Sequence, residues 1–361
     1  MKIALFAYSL GAGGAERQIA ILAREFVQRG FEVELFLVHK TIFYELPSSV
    51  KITVLDEAPL YLHPVKKLLK LIPLAKKYAK LCTADVSISF MNRPNYINIL
   101  SKFFGNKAKI VVSERGTPSS YYRGFEGLVS KKLLSLLYPQ ADLVIANSFG
   151  VQRDLKHFGI TNVKTIYNQF DLKEIEHLAK ESIPEELQGF SFITIGRLDE
   201  GKNHILQIEA MRQLPQEITL YIIGEGPLRE YLQQKIYEYD LQNRVFLLGK
   251  RSNVYAYLAR AKAFSFSSKS EGFPNVLVEA LACGLPIVST DCPSGPAEIL
   301  EQGKYGLLVP LNNKKAFVNA MLHLYKDKTL HHNLRKIATI RAKEFAKETI
   351  MKKWKEVIDV R

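Results

Sequence analysis

Short apolar runs alternate with longer amphipathic stretches from the first residues onward. Ile3–Tyr8 is an apolar run, Glu16–Arg29 carries its apolar residues at helical spacing, and Glu32–Val38 returns to a run. Runs of this length bounded by turn residues predict buried strands, and apolar positions at i, i+3, i+4 and i+7 predict a helix, so the order is β-α-β. Further runs at Val86–Phe90, Lys109–Ser113 and Leu143–Ala146 predict a parallel sheet covered by helices on both faces, a Rossmann-like domain. A second series, Phe192–Gly196, Thr219–Ile223, Val245–Leu248, Ala263–Ser267 and Ile287–Ser289, predicts a second domain of the same α/β class. Val163–Asp171 reads as the crossover between them, and Lys173–Lys180 as the charged helix that follows. Ile350, Trp354, Val357 and Ile358 fall on one face of a helix over Thr349–Val360. The expected domains are therefore 1–168 and 169–344, with a final helix at about 345–361. A ligand is expected at the carboxyl ends of the strands, in the cleft between the two domains.

Length agrees with two domains, since 361 residues exceed one ordinary domain. Net charge is +14, of which +11 lies in 1–168 and only +3 beyond it. Such an asymmetry is either a solvated face or the footprint of an anionic partner: nucleic acid, anionic lipid or a diphosphate. Three cysteines, Cys82, Cys283 and Cys292, with no C-x-x-C pair, indicate neither a disulfide framework nor a zinc site. No apolar stretch reaches the roughly 18 residues of a membrane-spanning helix. The opening apolar run continues directly into a Gly-rich turn, so it reads as a strand and not a signal peptide.

Three loops carry chemistry. Gly11-Ala12-Gly13-Gly14-Ala15-Glu16-Arg17 joins the first strand to the first helix, where glycines allow close backbone approach and free helix N–H groups favour phosphate. The spacing is not that of the dinucleotide fingerprint. Gly196-Arg197-Leu198-Asp199-Glu200-Gly201-Lys202-Asn203 places two cations at a strand end, a planar fork and a point charge that can grip a diphosphate. No D-x-D pair occurs, so the usual carboxylate clip for a divalent cation is missing and side-chain cations are expected to stabilise the leaving group. Glu271-Gly272-Phe273-Pro274-Asn275-Val276-Leu277-Val278-Glu279 puts one carboxylate in a loop and another in the following helix; carboxylates accept pairs of sugar hydroxyls. Two isolated acids would equally describe a capped helix with a solvated Glu.

Together these stretches resemble family 4 of the retaining glycosyltransferases. Glu271 through Glu279 is similar to its E-x7-E motif. Gly13–Glu16, Gly196-Arg197-Leu198 with Lys202, and Gly224-Glu225-Gly226-Pro227-Leu228 match in the family's order, across essentially the whole chain. The resemblance implies the GT-B architecture, two facing Rossmann-like domains with a final helix crossing back to the first. It implies that Arg197 and Lys202 contact the donor diphosphate, Glu279 the ribose and Glu271 the transferred sugar. Gly14 would approach the diphosphate from the acceptor domain, and Gly272, Phe273, Asn275 and Val276 would complete the donor loop. Arg197, Lys202 and Glu271 are the expected catalytic residues, with no nucleophile, cofactor or metal.

Tyr8–Arg17, Met91–Ile97, Phe104–Lys107 and Thr117–Ser119 look like the members of that family that add α1,4-linked N-acetylgalactosamine to an undecaprenyl-diphosphate glycan in bacterial N-linked protein glycosylation. Related capsule and O-antigen transferases share parts of them. The implied partners are a UDP-sugar and a polyprenyl-diphosphate glycan. Arg93 and Arg115 are candidate acceptor contacts, Arg115 standing where many members carry a donor-sugar His.

Val65–Leu81 mixes Lys66, Lys67, Lys70, Lys76, Lys77 and Lys80 with Leu68, Leu69, Leu71 and Ile72. The pattern suits either a helix lying on an anionic membrane or an amphipathic helix packed on the sheet, with Pro73 kinking or breaking it. Lys107, Lys109, Arg123, Lys131 and Lys132 add charge to the same domain, and with the lipid-linked acceptor they imply peripheral association with the cytoplasmic face of the inner membrane. Two other functions fit parts of the pattern: a nucleic-acid-binding protein, for which Tyr121, Tyr122 and Phe125 beside the N-terminal charge would argue, and a nucleotide-sugar epimerase.

Overall fold

The computed structural model describes residues 1–56, 64–122 and 124–359; the side chains of residues 64, 65, 67, 121, 125 and 126 lie outside that description. Arg123 and the side chains of Lys67, Tyr121 and Phe125, named above, are thus outside the described residues. The chain divides into two compact units, Met1–Gln169 with Ile350–Arg361, and Phe170–Thr349.

Unit 1 is built on β1 (Lys2–Ala7), β2 (Glu32–Leu37), β3 (Lys51–Val54), β4 (Val86–Phe90), β5 (Lys109–Glu114), β6 (Leu143–Ala146) and β7 (Val163–Thr165). Their order is β3-β2-β1-β4-β5-β6-β7, and every neighbouring pair is parallel. Strand side chains alternate between faces, so each parallel strand must bury both. Ala4 and Phe6 join one core with Phe36, Tyr78, Tyr96 and Tyr138. Ile3 and Leu5 join the other with Leu22, Phe26 and Trp354.

The helix Lys347–Ile358 closes that second core, with Ile350, Trp354, Val357 and Ile358 all buried. Lys109 Nζ reaches back to the carbonyl of Val357 at 2.7 Å, occupying a carbonyl that the helix end leaves unpaired.

Unit 2 repeats the plan with β8 (Phe190–Ile195), β9 (Ile218–Ile223), β10 (Val245–Gly249), β11 (Ala263–Phe266), β12 (Ile287–Thr290) and β13 (Leu307–Val309). The order is β10-β9-β8-β11-β12-β13, again all parallel. Phe192, Leu220, Ile222, Met211 and Phe317 form its main core.

The strand runs read from the sequence are central strands together with β2, β6, β10 and β12, while β3, β7 and β13 gave no run. Each of these three is a sheet edge of three or four residues. β7 lies inside the stretch read as crossover. The Val65–Leu81 helix is also revised: it forms two helices, Pro64–Leu69 and Leu71–Leu81, and the break is at Lys70 and not at Pro73. Pro73 sits in the first turn of the second helix, where its missing N–H leaves no intrahelical bond unmade.

Candidate functional site

In unit 2 the chain leaves β8 towards β9 on one side, whereas β11 leads to β12 on the other, so the strand order reverses between β8 and β11. The loops that follow these two strands are the two motif loops of the sequence, Gly196–Asn203 and Ser267–Pro274. They meet directly: Lys202 Nζ lies 2.6 Å from Glu271 Oε1. A parallel sheet offers a ligand crevice at this kind of reversal.

The loop after β8 is pinned from several sides. Asp199 Oδ1 accepts the Lys202 backbone N–H at 3.0 Å, and Leu198 is fully buried. Leu198 bonds through its N–H to the Glu225 carbonyl and through its carbonyl to the Leu228 N–H, each at 3.0 Å. The Gly224–Leu228 motif therefore braces the cation loop. A Cβ on Gly224 would stand 1.9 Å from the Gly196 carbonyl oxygen, and Gly224 holds φ 147°, so no other residue fits there. Arg197 projects outward with its side chain 71% exposed, its Nε 3.8 Å from Asp199 Oδ2. The carboxylate loop runs Glu271 to Pro274, then the helix Asn275–Ala282 begins. Gly272 and Phe273 are buried, Asn275 and Val276 half-buried in its first turn, and Glu279 is 2% exposed.

Behind the loop lies a polar network that sequence reasoning missed. Gln207, fully buried on the helix His204–Met211, donates to Ser267 Oγ at 2.7 Å and accepts from Ser265 Oγ at 2.5 Å. Ser267 Oγ in turn donates to the Lys202 carbonyl at 2.8 Å, and the Lys269 N–H to the Gly201 carbonyl at 2.8 Å. Gln207 thereby ties both motif loops to the sheet; buried polar groups of this kind are held by such partners. His204, buried against Gly196, has its pKa lowered to about 4 by desolvation, with the neighbouring Lys202 charge adding to the effect. The only sequence signal for these two was a Gln and a His in the first turns after the motif. Cys292, also buried near the pair, has its thiol pushed up by burial and by Glu271, which removes it as a nucleophile.

Unit 1 carries the remaining candidates at the carboxyl end of its sheet. Gly14 opens the helix Gly14–Gln28, and Glu16 folds back onto the loop, close enough that a Cβ on Gly13 would meet its Oε2 at 2.1 Å. Burial raises the Glu16 pKa. Arg115 is held within the unit: its Nη1 donates to Asn168 Oδ1 at 2.5 Å and its guanidinium lies 4.9 Å over the Phe90 ring. Desolvation brings its pKa down to about 10, opposed by the adjacent Glu114. Arg93 is 9% exposed on the helix Asn92–Ser101.

The described lysines of the basic stretch do not behave alike. Lys70 is paired with Asp56 at 2.8 Å and Lys77 donates to the Leu55 carbonyl at 2.7 Å, because the second helix packs Leu71, Leu74 and Tyr78 into the core and turns these two along the sheet edge. Lys66, Lys76, Lys77 and Lys80 are exposed, and Lys70 is half-buried. Beside them stand exposed apolar side chains, Leu69 at 70% and Phe103 at 64% among them. No helix among the described residues is long and apolar enough to cross a membrane.

Two family models match, the Glycosyltransferase Family 4 model over residues 12–174 and the Glycosyl transferases group 1 model over residues 177–341. A relative from Campylobacter jejuni is 41% identical over 97% of each chain; it is named N-acetylgalactosamine-N,N'-diacetylbacillosaminyl-diphospho-undecaprenol 4-alpha-N-acetylgalactosaminyltransferase. A second from the same organism, an alpha-1,4-N-acetyl-D-galactosaminyltransferase named for a longer undecaprenol-linked glycan, is 27% identical over 99% of this chain and 98% of its own. Among solved structures, Anabaena HepE in complex with UDP superposes with TM-score 0.81 at 24% identity over 99% of each chain. Sucrose-phosphate synthase from Thermosynechococcus elongatus gives 0.83 at 19%, over 99% of this chain and 98% of that one. The fold is GT-B.

Proposed function

Because the chain belongs to the family 4 glycosyltransferases, we propose that it moves N-acetylgalactosamine from UDP-GalNAc, in α1,4 linkage and with retention, onto an undecaprenyl-diphosphate-linked glycan. The observation that carries this reading is the 41% identity, spread over 97% of both chains, with a Campylobacter jejuni enzyme named for that transfer. Family membership replaces the epimerase and nucleic-acid readings. A capsule or O-antigen transferase using another UDP-sugar is the runner-up.

In this scheme Arg197 and Lys202 hold the departing diphosphate, Glu271 the transferred sugar and Glu279 the ribose. Lys202 and Glu271 hold one another at 2.6 Å in the structure. A diphosphate would draw Lys202 away and release the carboxylate to accept sugar hydroxyls. Attack from the face the phosphate leaves lets a phosphate oxygen take the acceptor proton, which requires no protein nucleophile. Each well-placed donor on the growing charge contributes about 3 kcal/mol. Unit 1 takes the acceptor, and Lys66, Lys76 and Lys80 with Leu68, Leu69 and Ile72 meet the anionic cytoplasmic face of the inner membrane.

The test of the reaction is mass spectrometry of products from a panel of UDP-sugars with polyprenyl-diphosphate glycans. Extension by N-acetylhexosamine from UDP-GalNAc alone is expected; extension only from another UDP-sugar favours the runner-up. For the membrane contact, replacing Lys66, Lys76 and Lys80 with Gln should weaken binding to anionic vesicles about 100-fold, at about 1 kcal/mol per charge. Unchanged binding contradicts it.

A further inference from the structure

The carboxyl end of the unit 1 sheet holds a buried cation whose nitrogens have no hydrogen-bond partner among the described residues. The order β3-β2-β1-β4-β5 reverses between β1 and β4. The helix Gly14–Gln28, which leaves β1, packs Leu22 and Phe26 on one face of the sheet; the helix Asn92–Ser101, which leaves β4, packs Tyr96 and Ile99 on the other. This reversal is the counterpart of the one that brings Lys202 to Glu271 in unit 2, and such reversals are where a parallel sheet offers a ligand crevice.

Arg93 occupies it. The residue is 9% exposed, and none of Nε, Nη1 and Nη2 has a hydrogen-bond partner among the described residues. Its guanidinium carbon lies 5.3 Å from the ring centroid of Tyr8, the residue that follows β1, so it spans the reversal point. A cation–π contact offsets only part of the cost of desolvating a guanidinium. Glu114, the carboxylate at the end of the neighbouring strand β5, is committed elsewhere. Glu114 accepts the N–H groups of Arg115 and Gly116 at 3.0 and 3.3 Å and the Tyr138 hydroxyl at 2.8 Å. Met91, two residues before Arg93, holds φ 67° and ψ 162°, a conformation almost confined to glycine, so the turn that presents Arg93 is kept at a cost in backbone strain.

We propose that Arg93 binds a diphosphate oxyanion at the β1–β4 reversal of unit 1. A neutral sugar would leave the guanidinium charge uncompensated, whereas a phosphate matches its fork of donors with two oxygens and supplies the missing counter-charge. The assignment rests on the transfer reaction proposed above, in which two substrates carry this chemistry: the nucleotide donor and the lipid carrier of the acceptor.

Three measurements on full-length wild type, Arg93→Gln and Arg93→Met test it. Calorimetry with inorganic pyrophosphate and with UDP reads oxyanion binding without turnover. Kinetics compare a polyprenyl-diphosphate glycan with the same glycan as an uncharged alkyl glycoside, and thermal unfolding reads stability. Loss of a charge-assisted contact should weaken the affected ligand about 10- to 100-fold. A raised KM for the diphosphate acceptor with UDP affinity unchanged supports the site and assigns it to the lipid carrier; weakened UDP binding supports it and assigns it to the donor. Both variants should melt no lower than wild type, since they remove an unpaired buried charge. Unchanged binding of pyrophosphate, UDP and acceptor overturns the proposal, as does an equal loss with the uncharged glycoside while UDP and pyrophosphate affinities are unchanged, or a marked fall in melting temperature. If wild type transfers none of the sugars tried yet binds pyrophosphate through Arg93, the reaction assignment fails and the oxyanion site stands.

Discussion

At the reversal point of unit 2, Lys202 and Glu271 neutralise each other, with side chains 30% and 13% exposed; at the reversal point of unit 1, Arg93 lies over the ring of Tyr8 and its nitrogens have no hydrogen-bond partner among the described residues. The same topology has been given opposite electrostatics. On the proposed reading, an anion entering unit 2 displaces a partner, which lowers affinity but keeps the site satisfied while it waits. In unit 1 the anion would bring the partner, so the unliganded unit carries the cost. A pair as exposed as Lys202–Glu271 contributes on the order of 1 kcal/mol, small beside the interactions of a bound diphosphate.

The largest effect is expected from Lys202→Ala and Arg197→Ala. Either should lower kcat about 10²- to 10³-fold with little change in the unfolding midpoint, because each removes a cation from the leaving group and neither is in a core. Steady-state kinetics with both variants near wild type would dissolve the contrast between the units, since unit 2 would then have no charge-bearing role.

Next in size is a pH effect. The folded-state pKa of His204 is about 4, below its ordinary 6.5. The unfolded chain therefore binds more protons between those values, and stability rises with pH through that window. The His204 contribution is complete above about pH 6.5 and lost as pH falls towards 4, on the order of 3 kcal/mol in all. Denaturant midpoints of wild type should fall from pH 7.5 to 4.5 more steeply than those of His204→Gln; parallel curves would mean that the histidine is already solvated.

The central strands and the terminal helix were legible because a strand buried on both faces must be apolar throughout, and Trp354 with its neighbours repeats at helical spacing. The edge strands β3, β7 and β13 were not, since three or four residues on an edge need no apolar run. The site was legible to the level of residue type. Lys202 and Glu271 stand 69 residues apart, and their motifs named both; that each holds the other follows only from the sheet order, which the runs do not encode. Gln207 and His204 were invisible because a buried polar side chain on a helix looks like any surface one until its partners are placed. The partners of Lys70 and Lys77 were hidden for the converse reason: Asp56 and the Leu55 carbonyl reach them from a neighbouring segment.

A smaller effect sharpens the comparison. Glu271→Gln removes the resident partner of Lys202, so UDP should bind about fivefold more tightly while transfer slows, which calorimetry beside kinetics would show. Weaker UDP binding would mean that Glu271 positions Lys202 and does not compete for it. The smallest is an expected absence of change: with no D-x-D clip in the sequence, transfer should persist in EDTA. Complete loss restored by manganese would contradict that reading.

The most direct test is the configuration of the new bond. With UDP-GalNAc and a polyprenyl-diphosphate acceptor ending in N-acetylgalactosamine, wild type should add one N-acetylhexosamine. The new anomeric proton should show, by nuclear magnetic resonance, the small coupling of an α-glycoside and a correlation to carbon 4 of the acceptor sugar. A β-coupling, or an acceptor left unextended while another nucleotide sugar is consumed, would contradict the account.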